Sequence, residues 1–334
     1  MPSAGSERYK SRQTKGDTYM ESIKLGISSC LLGEEVRYDG GHKLDPFLKD
    51  TLGKYVEFVP VCPEFELGLG VPREAMRLVG DPENPRLVTI KTGQDLSERM
   101  SLWARQRVKE LEGEGLSGFI FKSRSPSSGM ERVKVYSEKG PPIKKGVGFF
   151  ARIFMQHFPL IPVEDEGRLH DPALRENFIE RVFEMRRWRE CLSGEKTIQK
   201  LIEFHTVHKL TLLSHSEKHY RLLGRLVAEA RTFNLNELYD KYQALFLEAL
   251  ALKSTVRKNA NVLHHIMGYF KNDLSSDEKK ELLDIIDLYS RGIYPLIVPI
   301  TLMNHYVRKY DQPYLKHQVY LNPHPVELQL RNHV

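Results

Sequence analysis

The sequence predicts an α/β N-terminal domain, a small Rossmann-like sheet with helices, followed by an all-α C-terminal domain. Before residue 195, short apolar runs alternate with glycine- and proline-containing turns and with one helical pattern. After residue 195, apolar residues recur at helical spacing almost to the end of the chain. A chain of 334 residues is long enough for both domains to have their own core.

Five apolar runs predict the strands of the N-terminal domain. They are residues 24–32, 55–61, 86–90, 118–122 and 133–136. The loops that follow parallel strands meet at one edge of an α/β sheet, where such proteins bind ligands. We therefore expect Cys30, Cys62 and the segment 122–129 to lie close together.

Capping residues predict where several of the helices begin. Asp95 precedes one helical pattern, and Asp171 precedes another that has Pro172 at its first position. Ser275 and Glu278 form a capping-box pattern in the C-terminal half, and the chain from residue 312 looks extended. The predicted divisions are a flexible basic tail (1–20), an α/β domain (21–165), a connecting helix (166–194) and the all-α domain (195–334).

Composition predicts a soluble, cytoplasmic protein. Hydrophobic residues make up 40% of the chain, and no apolar run approaches the roughly 20 residues that span a bilayer. The polar first 20 residues do not resemble a secretion signal. Three cysteines cannot form a disulfide framework in a chain of this size, which indicates a reducing compartment.

Basic residues and histidines concentrate in the C-terminal half. Residues 196–334 contain 19 Lys and Arg against 14 Asp and Glu, and ten of the thirteen histidines. The excess suits a polyanionic partner or a solvated surface. Some of the histidines are three or four residues apart, as in His205 with His208 and His215 with His219, which suits a metal, polar packing or nucleic-acid contact.

Two cysteines and a carboxylate are the first candidates for chemistry. Cys30 and Cys62 each follow an apolar run and precede turn residues, which favours a ligand role over the alternative of buried apolar side chains. Glu64, two residues after Cys62, is a candidate general base, or else a surface residue at the start of a helix.

Three sequence blocks resemble the signature blocks of the thiouracil desulfidase family. They are SSCLLGEEVRYDGG (28–41), PVCPEFELGLGVPR (60–73) and KSRSPSSGMERVKVY (122–136). The C-terminal half, with HKLTLLSHSEKHYRLLGRL, NANVLHHIMGYF and YPLIVPITLMNHYVRKY, resembles the YbgA-like helical domain that is often fused behind it. Together these blocks extend over nearly the whole chain after Met20.

The resemblance implies a [4Fe-4S] cluster that is held by three cysteines and has one open iron. That iron would act as a Lewis acid on the sulfur of a thiolated pyrimidine while a carboxylate activates water. Fused members resemble enzymes that convert 4-thiouridine in tRNA to uridine. The matching positions here are Cys30, Cys62 and Ser128 for the cluster, Glu64, Ser123 and Ser125 for catalysis, and Asp39, Arg73 and Lys122 for substrate binding.

Ser128 stands where the family pattern has its third cysteine. A hydroxyl is a poorer iron ligand than a thiolate, and Cys191 lies on a predicted helix too far along the chain to replace it. An alternative function is therefore a non-catalytic nucleotide- or RNA-binding protein that has lost the third ligand. Another is a different sulfur or metal chemistry around zinc or a different iron centre.

Overall fold

The structure, a computed structural model, describes residues 22–137 and 140–334. The predicted tail 1–20 lies outside the described residues. No helix in the described part is long and apolar enough to cross a membrane. The α/β region followed by an all-helical region confirms the predicted fold class.

The first sheet is parallel and has the strand order β2-β1-β5-β8. Its central strands are apolar because both faces are covered, and Leu25, Ile27 and Phe121 are fully buried. The strands are β1 (Ile23–Ser28), β2 (Val56–Val61), β5 (Phe119–Phe121) and β8 (Val163–Asp165).

The second sheet is mixed, with the strand order β4-β3-β6-β7. Only β3 and β6 run parallel, and the outer strands pair antiparallel to them. The strands are β3 (Met76–Gly80), β4 (Pro85–Thr89), β6 (Val133–Tyr136) and β7 (Ile143–Gly146).

Three helices accompany these sheets: α1 (Pro63–Glu66), α2 (Ser97–Glu112) and α3 (Phe149–His157). The predicted α2 buries Met100, Ala104, Val108 and Leu111. Helix α3 has no counterpart among the predictions because it follows a segment rich in glycine and proline. It packs Phe150 and Phe154 against Phe119 of β5, which fixes the start of α3 beside the segment 122–129.

Helix α4 (Pro172–Leu192) belongs to the cores of both regions. Asp171 accepts a hydrogen bond from the Leu174 N–H at 3.0 Å, as the capping pattern predicts. The first half of α4 packs Phe178 and Val182 against the parallel sheet, and the second half packs Trp188 among the helices that follow.

The C-terminal region is helical throughout. Both hydrogen bonds of the predicted capping box at Ser275 and Glu278 are present. The helices are α5 (Ile198–His215), α6 (Glu217–Ala228), α7 (Leu235–Ala251), α8 (Val256–Tyr269), α9 (Ser276–Ser290), α10 (Ile297–Lys309) and α11 (Pro313–Lys316).

The end of the chain returns to the α/β region. The prediction of an extended segment from Gln312 is only partly right, because α11 and two 3-10 turns interrupt it. Leu328 and Leu330 are buried in the same cluster as Cys30 and Phe178. The last residues of the helical region therefore support the strand and turn that carry Cys30.

Candidate active site

Three loops at the carboxyl ends of β1, β2 and β5 enclose a cavity of about 350 Å³. These strands are neighbours in the parallel sheet, which brings their following loops to one edge. Eight of the nine predicted site residues line this cavity, namely Cys30, Cys62, Glu64, Arg73, Lys122, Ser123, Ser125 and Ser128.

Cys30 lies in a 3-10 turn and not in a strand, because β1 ends at Ser28 and the turn Ser29–Leu32 follows. Its carbonyl accepts hydrogen bonds from the N–H groups of Gly33 and Lys43, which folds the following loop over the cavity. Burial raises the pKa of the Cys30 thiol to about 11, although the nearby charge of Lys122 lowers it.

Cys62 is the residue before the first turn of α1. Its Sγ lies 3.8 Å from the Val36 carbonyl oxygen, and Glu66 accepts a hydrogen bond from its N–H at 2.9 Å. Burial raises the pKa of the Cys62 thiol, and the charge of Arg73 opposes this effect. Cys30 is therefore buried and Cys62 half-buried at the cavity, each with a cationic side chain nearby.

Glu64 and Arg73 form a largely buried ion pair in the cavity wall, with side chains 15% and 5% exposed. The Glu64 Oε2 atom accepts hydrogen bonds from Nε of Arg73, at 3.0 Å, and from its Nη2. The Arg73 guanidinium also donates to the carbonyls of Val36 at 2.9 Å and Gly70 at 3.0 Å. Its side chain is only 5% exposed, so both groups are held in place.

Lys122 and Ser123 are joined to a carboxylate that the sequence did not single out. The Lys122 ammonium forms an ion pair with Glu166 and donates to the Ser123 hydroxyl at 3.1 Å. Glu166 also accepts hydrogen bonds from the N–H of Ser123 at 2.7 Å and from its hydroxyl at 2.7 Å. This network fixes the end of β5 at the cavity.

The serine loop of residues 125–129 forms the remaining wall. Ser127, which the sequence also did not single out, donates a hydrogen bond to Oε1 of Glu64 at 2.9 Å. The Ser125 hydroxyl oxygen accepts one from the N–H of Ser128 at 3.1 Å. A side chain at Gly148 would meet Ser127 backbone atoms at 2.6 Å, so only glycine allows this close packing of the start of α3 on the loop.

Asp39 is the predicted site residue that does not line the cavity. Its carboxylate lies 3.4 Å from Nε of Arg37 and is 47% exposed. Three cationic residues that the sequence did not single out, Arg37, Lys43 and Arg124, do line the cavity. Arg124 has a positive φ of 60°, an uncommon backbone conformation for a bulky residue that is often associated with functional sites.

The predicted histidine pairs serve polar packing. Nε2 of His208 lies 2.8 Å from Glu184 and Nε2 of His215 lies 3.4 Å from Glu180, in both cases deep between α4 and α5. Within the described residues, no three His, Cys, Asp or Glu side chains could together hold a metal ion. Cys191 is buried in the helical core away from the cavity.

The donor set at the cavity is two thiols and the Ser128 hydroxyl. In the described part of the chain, the Ser128 hydroxyl has no hydrogen bond that would compete with a ligand role. Lys122 and Arg73, near Cys30 and Cys62, would offset the negative charge of thiolates. These residues fit an iron-sulfur cluster only with Ser128 as the third ligand, through oxygen.

Two family models match consecutive parts of the chain. The model for 2-thiouracil desulfurase matches residues 25–166, and the model for a protein of unknown function, DUF1722, matches residues 209–325. The first matched range contains every residue that lines the cavity.

Similar proteins each match only part of the chain. The uncharacterized protein YbgA of Escherichia coli (strain K12) is 35% identical over 133 residues, which is 40% of this chain and 79% of that protein. The uncharacterized protein YbbK of Bacillus subtilis (strain 168) is 29% identical over 108 residues, 31% of this chain and 71% of that protein. A solved [4Fe-4S]-dependent thiouracil desulfidase, TudS, is 29% identical and aligns with 46% of this chain and 96% of its own, with a TM-score of 0.37.

Proposed function

Since the chain belongs to the YbgA family and carries a 2-thiouracil desulfurase domain ahead of the YbgA-like region, we propose that it removes sulfur from 4-thiouridine in tRNA. The observation that supports this proposal most strongly is that one cavity brings together Cys30, Cys62, Glu64 and the serine loop. All of these residues lie in the range matched by the 2-thiouracil desulfurase model. The coarser activity, C–S cleavage on a thiolated nucleobase, follows from the family match alone.

The chain's own residues would supply the acid–base part of the reaction. Glu64 is the candidate base that takes a proton from a water molecule as its oxygen attacks the ring carbon that bears sulfur. The C–S bond then breaks, and the sulfur leaves as sulfide, which takes up the protons. One C=S group and one water become one C=O group and hydrogen sulfide, so no external oxidant or reductant is needed.

The proposed cofactor is a [4Fe-4S] cluster held by Cys30, Cys62 and the Ser128 oxygen. When bound, it would supply an open iron that acts as a Lewis acid on the C–S bond. An alkoxide is harder than a thiolate and suits iron-sulfur clusters less well, so we expect this cluster to be held more weakly than one with three cysteines.

The cationic residues of the cavity support a phosphate-bearing substrate over a free base. Arg37, Lys43 and Arg124 join Arg73 and Lys122 in the lining, against Glu64 as its carboxylate. Among the described residues, Lys43 and Arg124 have no ion pair that would compete with phosphate. The YbgA-like region, taken as 195–334, carries a net charge of +4 and is proposed to help bind the tRNA substrate of a cytoplasmic protein.

The test uses anaerobically reconstituted full-length protein and tRNA that contains 4-thiouridine. Loss of the thionucleoside absorbance, with uridine and sulfide as products, is the expected result. Free 4-thiouracil and 4-thiouridine monophosphate, assayed in parallel, separate the substrate classes. Turnover of the free base with no turnover of tRNA would overturn the tRNA proposal but leave the desulfidase activity standing.

Ser128 favours a second function, a nucleotide- or RNA-binding protein without catalysis. In that case the protein binds thiolated tRNA but shows neither iron after reconstitution nor turnover. A Ser128→Cys variant that gains both iron and turnover would support this second function for the natural chain.

A further inference from the structure

The hydrogen bonds around Glu64 assign a function to Ser127, a residue that the family resemblance did not single out. Ser127 is 1% exposed and donates its hydroxyl hydrogen to Oε1 of Glu64 at 2.9 Å. Arg73 occupies the other oxygen with two N–H groups. The Glu64 carboxylate is thus held from both sides, by a cation at Oε2 and by a hydroxyl at Oε1.

The direction of the chain of hydroxyls follows from what each group can donate. An ionised carboxylate only accepts, so the single hydrogen of Ser127 is directed to Glu64. The Ser125 and Ser127 oxygens are 3.0 Å apart, and the hydrogen between them must therefore come from Ser125. The order is Ser125 to Ser127 to Glu64.

Ser125 has no hydrogen-bonding capacity left for a ligand. Its hydrogen is directed to Ser127, and its oxygen also accepts the N–H groups of Ser127 at 3.3 Å and Ser128 at 3.1 Å. A hydroxyl offers one donor and two acceptor positions, and all three are used. Ser125 therefore acts on Glu64 through Ser127.

The backbone of Ser127 is fixed by the first turn of α3. Its carbonyl accepts hydrogen bonds from the N–H groups of Phe150 at 2.9 Å and Ala151 at 3.3 Å. Gly148 packs against the same backbone, as described above. The hydroxyl of Ser127 is consequently held at one position relative to Glu64, which is what precise orientation of a base requires.

We propose that Ser127 is a positioning residue that, together with Arg73, leaves the Glu64 carboxylate one acceptor position, on Oε1, for the attacking water. A carboxylate has about four acceptor positions, and Arg73 and Ser127 fill three. The proposal deepens the proposed function and rests on it for the identity of the water. The hydrogen-bond order itself holds whether or not the substrate is a thiolated nucleobase.

The first measurement needs no activity. Melting temperatures are compared for wild type, Ser127→Ala, Glu64→Ala and the double variant. Because the two side chains share one hydrogen bond, the melting temperature of the double variant should fall by clearly less than the sum of the decreases in the two single variants. The control cycle pairs Ser127→Ala with Ser101→Ala, whose hydroxyl bonds to Ser97 on α2, and there the losses should add. Additive losses in the Ser127–Glu64 cycle would overturn the proposal.

The second measurement separates positioning from folding. Ser127→Ala should lower kcat by about 10- to 100-fold, the scale of a misplaced catalytic group, with KM within about twofold. Ser127→Thr, which keeps the hydroxyl, should recover most of kcat, and adding Ser127→Ala to Glu64→Gln should cost little more. An unchanged kcat, or a rise in KM alone, contradicts the proposal. If the wild type turns over no thiolated substrate, the proposed function is wrong. The melting-temperature cycle then still tests whether Ser127 and Glu64 share a hydrogen bond.

Discussion

His215 on α5 and Glu180 on α4 form an enclosed ion pair, with Nε2 3.4 Å from Oε2 and exposed fractions of 0% and 3%. Nδ1 of His215 lies 2.6 Å from the Leu252 carbonyl oxygen, so both ring nitrogens face acceptors, an arrangement that favours the imidazolium form. Arg331, near the end of the chain, lies 3.8 Å from the other Glu180 oxygen. This pair joins the connecting helix to the helical region.

The first prediction concerns the pH dependence of stability. Burial lowers the pKa of His215, but its hydrogen bond with Glu180 and the charge of Glu180 outweigh burial and raise it above 6.5. Burial raises the pKa of Glu180, but the same pairing and the charge of Arg331 lower it to about 2. His215 therefore stabilises fully below pH 6.5 and loses its effect as pH rises through its raised pKa. Glu180 stabilises fully above pH 4.5 and loses its effect as pH falls towards 2.

Urea unfolding of His215→Gln across pH checks this expectation. The variant should be less stable by about 3 kcal/mol, the cost of breaking a buried pair, with the largest difference between pH 4.5 and 6.5. The exposed His317 provides the control, since His317→Gln breaks no buried pair and should change the free energy of unfolding by no more than about 0.5 kcal/mol. If the loss of unfolding free energy in His215→Gln relative to wild type grew above pH 8, the assignment of a His215–Glu180 ion pair would be contradicted.

The second prediction concerns the Glu64–Arg73 pair. Arg73→Ala leaves a carboxylate that is only 15% exposed without its cation and should cost up to about 3 kcal/mol in the free energy of unfolding. Arg86, which is 66% exposed and 3.6 Å from Asp95, gives a matched control on the surface. Arg86→Ala should cost less than about 1 kcal/mol. Equal losses for the two variants in urea would show that the Arg73 pair is not buried in solution.

The third prediction concerns the packing of α3 on the serine loop. Gly148→Ala would place a methyl group 2.6 Å from Ser127 backbone atoms and 2.8 Å from the Gly129 nitrogen, so the loop must move. Loss of kcat and of stability is expected. The control is Gly224→Ala on α6, where no atom lies within 4 Å of the added carbon and helix propensity favours alanine by up to about 1 kcal/mol. A Gly148→Ala variant as active and stable as wild type would contradict the loop geometry.

The fourth prediction concerns the end of the chain. Leu330 is 4% exposed in the core cluster that contains Cys30, so Leu330→Ala should destabilise the protein by about 2 to 5 kcal/mol. Val326, in the same segment but 63% exposed, is the control, and Val326→Ala should be nearly neutral. Iron content after reconstitution should fall for Leu330→Ala alone. Equal melting temperatures for the two variants would show that the segment does not pack against the α/β region.

The fifth prediction concerns the third cluster ligand. Ser128→Cys should retain more iron per chain than wild type after anaerobic reconstitution and gel filtration, because a thiolate binds iron-sulfur clusters better than an alkoxide. Ser101→Cys, which adds a cysteine on α2, should retain no more than wild type. Equal iron in wild type and Ser128→Cys would indicate that residue 128 is not a ligand.

Sequence patterns predicted most of the fold and most of the candidate site for physical reasons. Apolar runs indicate buried strands, and Asp171 and Ser275 indicate where helices begin. These signals are readable because they depend only on residues that are neighbours in the sequence. Strand β8 was not predicted, since its three residues include Glu164 and Asp165, whose burial depends on contacts far along the chain. Whether the predicted boundaries near residues 165 and 194 separate independent domains stays a prediction.

The site residues that the sequence patterns did not identify were missed for a different reason. Ser127 and Glu166 form hydrogen bonds with residues that are 63 and 43 positions away in the sequence. No local sequence pattern could therefore indicate their role. The KSRSPSSG block contained three serines after Ser123, and only the hydrogen bond to Glu64 distinguishes Ser127 from its neighbours. The positions of Arg37, Lys43 and Arg124 likewise depend on how the loops fold over the cavity.

The central claim is that this cavity removes sulfur from 4-thiouridine in tRNA. The most direct test is anaerobic incubation of the iron-reconstituted full-length protein with such a tRNA, followed by nucleoside analysis and sulfide determination. The account predicts uridine and sulfide in equal amounts for wild type and a loss of at least about 100-fold for Glu64→Gln, within the range found when a general base is removed. Tight binding of this tRNA by an iron-loaded protein, with no uridine and no sulfide formed, would contradict it.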